Sequence, residues 1–239
     1  MELSELREQL CRLFSGNEDE LEQILQTVAD DRSVFPFNEY EHLIGQMLGL
    51  KKLTLMQYSE IRAAYVSENP NLWIYEISAP RGFGEGFAQT YVQGRCPQLQ
   101  KPSKALDLAY SGEYDFWLDG VRIEVKASRA VDSDSDAPLY VKALARQTSR
   151  PFLMNFQQLK PQCCDVFVWV AVFRDEIVIW VMSSSEVESH QNYSRGQHRG
   201  NRGNEGQLHI KQDNIATLEG FKLGQNDLGA AIRATALKK

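Results

Sequence analysis

The chain has 239 residues, 43% hydrophobic and 24% charged, a composition that suits one globular domain with a buried core and room for a helical appendage. Its formal net charge of −6 excludes a surface coated in basic residues for indiscriminate nucleic-acid binding, while leaving room for a local basic face. No segment approaches the roughly 20 apolar residues of a membrane span, and the acidic start MELSELREQL lacks the basic and apolar regions of a signal peptide, so a soluble, cytoplasmic protein with no membrane partner is expected.

Helical spacing opens the chain. Leu6, Leu10 and Leu13, then Leu21, Ile24 and Leu25, and further on Leu43, Ile44, Met47 and Leu48 predict helices within 2–29 and 38–67. Asn17 ahead of Glu18-Asp19-Glu20 suits a helix N-cap, and 31–36 reads as a break. Residues 1–70 are therefore expected to form a helical N-terminal region, a candidate dimerisation element or DNA arm, with an α/β core over 71–239.

After Asn69-Pro70-Asn71 the pattern turns β-rich, with Leu72 to Ile77 expected to be a strand or extended. Glycines 82, 84 and 86 around Glu85 lead into FAQTYVQ, which predicts a helix. ALDLAY, EYDFWL, VRIEVKAS, DVFVWVAVF and EIVIWVM predict strands. Between the third and fourth of these, SRPFLMNFQQLKP predicts a helix from its apolar spacing and its prolines at 151 and 161. The alternation of helices and strands indicates a single α/β core.

The segment from Glu113 to Lys126 carries the chemistry. Asp119-Gly120 between two alternating runs predicts a type I′ turn, which places 118 opposite 121, 116 opposite 123, 115 opposite 124 and 113 opposite 126. Phe116, Leu118, Val121, Ile123 and Val125 then form an apolar face, and Asp115, Glu124 and Lys126 gather on the other. Directly opposed carboxylates repel and call for a compensating cation. Phosphodiester hydrolysis needs such a cation, Mg²⁺ prefers hard oxygen ligands, and Lys126 can orient the water or hold the phosphate.

An Asp on one strand followed by Glu-x-Lys on the next resembles the PD-(D/E)XK nuclease superfamily, which includes many type II restriction endonucleases and mismatch-repair nicking enzymes. The resemblance spans roughly 80–182 and implies a restriction-endonuclease-like mixed sheet flanked by helices in αβββαβ order. Asp115, Glu124 and Lys126 become the catalytic set, with Asp115, Glu124 and Val125 as the metal set and Mg²⁺ as the cofactor, replaceable by Mn²⁺. Tyr114 stands where the family usually has proline. Some members carry an acid on the helix before the hairpin, which makes Glu85 an accessory candidate beside Glu113. Gln157, with Lys160, falls where related nucleases place a helper.

Fifteen Asp and Glu against eight Lys and Arg precede residue 101, whereas 17 acids and 18 bases follow it, so a polyanion site belongs in the second part. There, 190–206 (HQNYSRGQHRGNRGNEG) combines arginines and amides that read base edges with glycines that allow close approach. Arg195, Gln197, His198, Arg199, Asn201 and Arg202 are its DNA-contact candidates. The acidic stretch 131–136 reads as a turn or mobile loop without EF-hand spacing, and the four cysteines lack zinc spacing. Neither a Gly-x-Ser-x-Gly elbow nor a phosphate-binding Gly-rich loop is present, so neither a serine triad nor a nucleotide cofactor is expected. The expected protein is a sequence-specific type II restriction endonuclease on double-stranded DNA, acting as a homodimer. A repair or nicking enzyme of the same fold and a non-catalytic DNA-binding module are the alternatives.

Overall fold

The computed structural model describes residues 19, 22–23, 39–196 and 205–238. The chain divides into two compact units, Met1–Phe35 and Pro36–Lys239. In the first, residues 19, 22 and 23 are helical, and the rest of the helices expected within 2–29 lies outside the described residues.

The second unit is mixed α/β. It opens with helix α1 (Glu39–Gly49) and helix α2 (Leu55–Glu68). The helical pattern over 38–67 is thus broken at the turn where Lys51 takes a positive φ of 57°. Thr54 restarts the helix through a capping box with Gln57, which satisfies two backbone donors that would otherwise lack partners. Among the described residues no helix is long and apolar enough to cross a membrane.

A π-helix (Gly82–Gln89) runs directly into helix α3 (Thr90–Arg95), so the helix expected from FAQTYVQ forms. The strands are β1 (Phe116–Leu118), β2 (Val121–Arg129), β3 (Val131–Asp132), β4 (Phe152–Leu159), β5 (Val166–Val172), β6 (Ile177–Ser183), β7 (Tyr193–Arg195) and β8 (Gly206–Lys211). Helix α4 (Ser184–Glu188) follows β6, and helix α5 (Leu228–Ala236) lies near the end of the chain.

These strands make two four-stranded sheets, ordered β1-β2-β5-β6 and β3-β4-β8-β7. In the first, β2 and β5 are parallel while both outer pairs are antiparallel; the second is antiparallel throughout. Every residue of β5 is buried, as expected for a central strand covered on both faces. One core lies between the sheets. Phe152, Met154 and Phe156 of β4 and Leu208 and Ile210 of β8 join Phe167 and Trp169 of β5 and Trp180 of β6 there. Phe156 meets Trp169 edge to face with ring centroids 5.0 Å apart. The π-helix packs on β2, and α5 on β5 and β6.

Three expectations are corrected. SRPFLMNFQQLKP is strand β4, paired antiparallel with β8, and not a helix. Phe152, Met154 and Phe156 alternate into the core, but a bulge between Phe156 and Leu159, with Gln158 at a φ of 57°, returns Leu159 to the same face. Phe152, Phe156 and Leu159 consequently stand at i, i+4 and i+7, and a bulged strand imitates a helix. Leu72–Glu76 is a 3₁₀ helix whose Tyr75 hydroxyl donates to the Val172 carbonyl at 2.7 Å, so burial and not strand pairing holds it. ALDLAY forms turns, with Leu108 91% exposed, because Asp107 bonds the Ala109 N–H and the Tyr114 hydroxyl and folds the chain back locally. The 131–136 stretch supplies the short strand β3 before it turns, and Asp132 is buried in an ion pair with Arg150.

Candidate active site

Asp119 and Gly120 have φ values of 50° and 90°, as a type I′ turn requires. The register follows from that turn: Leu118 pairs with Val121, Trp117 with Arg122 and Phe116 with Ile123. Phe116, Leu118 and Ile123 are fully buried. The ladder then stops one residue short of the expected Asp115–Glu124 pair, because the Asp115 N–H bonds to the Ile123 carbonyl at 2.9 Å and the chain peels away.

That departure builds the site. With β1 gone, the Val125 N–H has no strand partner on that edge, and Asp115 Oδ2 accepts its hydrogen bond at 2.8 Å. The N–H and carbonyl of one strand residue point to the same side, so the Val125 carbonyl emerges on this edge too. Asp115 and Glu124 remain in side-chain hydrogen-bond contact, and Lys126 Nζ lies 2.7 Å from Glu124 Oε1. The Lys126 and Glu124 side chains are only 18% and 16% exposed. The three residues expected to act together are brought together, and Lys126 pairs with Glu124 rather than with Glu113.

Burial pushes both carboxyls above the ordinary range. For Asp115 the Val125 N–H, Lys126 and Lys101 oppose the shift. For Glu124 burial dominates, Lys126 counteracts it and the charge of Asp115 adds to it, so the group is pushed up to about 7. The proximity of the two buried carboxyls favours a neutralising partner, and a cation between them would serve as one.

Two further residues complete the cluster, and the sequence reading missed both. Gln89 Nε2 donates to Asp115 Oδ1 at 2.6 Å, and Lys101 Nζ donates to Gln89 Oε1 at 2.6 Å. Gln100 exchanges backbone hydrogen bonds of 3.0 and 2.9 Å with Trp117, which sets Lys101 beside Phe116 with its ammonium 4.3 Å from the ring centroid. A sequence signal for Gln89 existed, since it lies one turn beyond Glu85 on the same helix. Glu85 itself is exposed and pairs with Arg81 at 3.1 Å.

The remaining candidates scatter. Glu113 is exposed and meets the Cys163 thiol. Gln157 is exposed at the β4 bulge, on a strand where a helix was expected, and Lys160 pairs with Glu205 at 3.4 Å. Tyr114, in the place of the family's proline, is buried and donates to Asp107 at 2.9 Å. Arg195 ends β7, pairs with Glu188 at 2.8 Å and is 79% exposed. Gln197, His198, Arg199, Asn201 and Arg202 lie outside the described residues. Part of the 190–206 segment is strand, for β7 and β8 form a hairpin whose base is closed by the Gly196 N–H bonding the Glu205 carbonyl at 2.9 Å. A Cβ at Gly206 would meet the Tyr193 ring, so a larger residue there would require that ring to shift. Through Lys160–Glu205 and Cys163–Glu113, the hairpin base connects to the chain two residues before Asp115.

Among the described residues no group of three or more His, Cys, Asp and Glu side chains is set to hold a metal. Two carboxylates and a backbone carbonyl do fit Mg²⁺, which keeps several waters and takes one or two carboxylates beside substrate phosphate. The scan against protein-family models and the search of curated proteins found no match to this chain.

Proposed function

We propose that this protein is a Mg²⁺-dependent endonuclease of the PD-(D/E)XK type, acting on double-stranded DNA as a sequence-specific restriction enzyme. The observation that carries the reading is the convergence of Asp115, Glu124 and Lys126 at a semi-enclosed sheet edge, with two carboxylates in contact and a lysine at 2.7 Å. The mixed first sheet with its packed helices supports placing the chain in the restriction-endonuclease-like fold.

Asp115 and Glu124 would hold the cation together with the Val125 carbonyl. When bound, the cation neutralises a non-bridging phosphate oxygen and lowers the pKa of the attacking water. Lys126, released from full engagement with Glu124, orients that water and stabilises charge on the phosphate. The β7–β8 hairpin and the residues joining its strands, Arg195 to Arg202, contact the DNA grooves, and two copies related by a two-fold axis cut both strands of a symmetric site.

Incubation with plasmid DNA and Mg²⁺, followed by sequencing of the ends, tests the reading. Unique double-strand ends support restriction. Single-strand nicks shift the assignment to a nicking or repair enzyme, and intact DNA in both Mg²⁺ and Mn²⁺ rejects catalysis.

A further inference from the structure

Phosphoryl transfer is served by positive charge on more than one side of the reacting phosphate, supplied by two metals or by one metal with Lys or Arg. The Asp115 environment discriminates between these arrangements. Its inner oxygen, Oδ2, accepts from the Val125 N–H, and its outer oxygen, Oδ1, accepts from Gln89 Nε2. A Gln side chain has one acceptor end and one donor end. Here the acceptor end is taken by the Lys101 ammonium, which fixes the donor end on Asp115. A second cation against Oδ1 would face the amide N–H group and a lysine ammonium, and no third carboxylate is grouped there among the described residues.

We propose that the site takes one divalent cation, and that Lys101, tied to Asp115 through Gln89, replaces a second one as the positive charge facing a DNA phosphate. Gln89 is the positioning residue: it sets the Asp115 carboxylate and presents Lys101. The ammonium rests on the Phe116 ring at 4.3 Å and is exposed, and with three N–H donors it can meet a phosphate while keeping its bond to Gln89. Lys126 serves Glu124 and Lys101 serves Asp115, one lysine to each carboxylate.

The inference rests on the nuclease reading, and the test separates the two. Calorimetric titration of the full chain with Mn²⁺ in the absence of DNA is expected to give one ion per chain for wild type and two for Gln89→Glu, in which a carboxylate replaces the amide. A wild-type value of two, or a value still at one in a folded Gln89→Glu protein, overturns the single-ion assignment. Lys101→Ala should still bind one Mn²⁺, while its DNA affinity in Ca²⁺, measured across a salt series, falls with a slope shallower by about one counterion. Lys101→Arg should restore the slope. An unchanged slope in Lys101→Ala removes Lys101 from the DNA contact. If wild type and Asp115→Ala bind Mn²⁺ equally or not at all, the nuclease reading itself fails.

Discussion

Two hairpins of this molecule, β1–β2 and β7–β8, are built to opposite specifications. In β1–β2 the turn, register and apolar face set the course of the backbone, and the carboxylates are enclosed enough to raise their proton affinity. In β7–β8 Arg195 stands 79% exposed, bonded to an exposed Glu188. Chemistry on a phosphate gains from a partly desolvated site, where each electrostatic contact is stronger. Recognition of DNA needs side chains that reach outward and exchange water and ions for phosphate and base edges. The contrast predicts large, all-or-none effects in the first hairpin and graded, salt-sensitive ones in the second.

The largest effects should come from Asp115→Ala, Glu124→Ala and Lys126→Ala, each abolishing plasmid cleavage by at least about 100-fold in a folded protein. Wild-type turnover by Asp115→Ala would remove the first hairpin from the chemistry. Metal removal should act as strongly. Cleavage is expected with Mg²⁺ or Mn²⁺ and is lost in EDTA, while Ca²⁺ supports binding better than cutting. Full cutting in chelator contradicts the role given to the carboxylate pair.

For the second hairpin the expectation is smaller and more selective. Replacing Arg195, Arg199 or Arg202 with Ala should cost about 1–3 kcal/mol on cognate DNA and relax one base pair if that arginine reads a base edge. If it contacts phosphate alone, affinity falls on all sequences and the salt slope decreases by about one. Affinities for cognate and non-cognate duplexes across a salt series separate the two outcomes. Three variants indistinguishable from the parent would place DNA reading elsewhere.

The smallest effect is on stability and has an unusual sign. Burial raises the folded-state pKa of Glu124 above its unfolded value, so the native state binds the proton more tightly than the unfolded chain. Its favourable contribution is fully present below the ordinary carboxylate range of about 4.3 and is lost as pH rises toward about 7. Glu124→Gln should therefore stabilise the metal-free protein at pH about 8 by on the order of 1–2 kcal/mol, and give no such gain near pH 4. Thermal melts in EDTA at the two values check this; equal melting of variant and parent at the higher pH would show that the pair is not strained.

Much of the first hairpin was legible because its determinants are local. Asp119-Gly120 dictates the turn, the turn dictates the pairing through Phe116–Ile123, and alternation dictates which side chains share a face. Strands β5 and β6 were legible for a similar reason, since short apolar runs bounded by polar residues suit buried strands. The β4 segment was not, because its bulge shifts the side-chain phase and its partner β8 lies some fifty residues away.

The site divides along the same line. Sequence alone determined that Asp115, Glu124 and Lys126 come together beside the Asp119-Gly120 turn, because period and turn chemistry act over a few residues. Tertiary structure decided that β1 peels off at Asp115, that its carboxylate takes the Val125 N–H, and that Gln89 and Lys101 arrive from 26 and 14 residues earlier in the chain. It also decided how far the carboxylates are desolvated, since burial is a property of what packs around a residue and not of the residue itself.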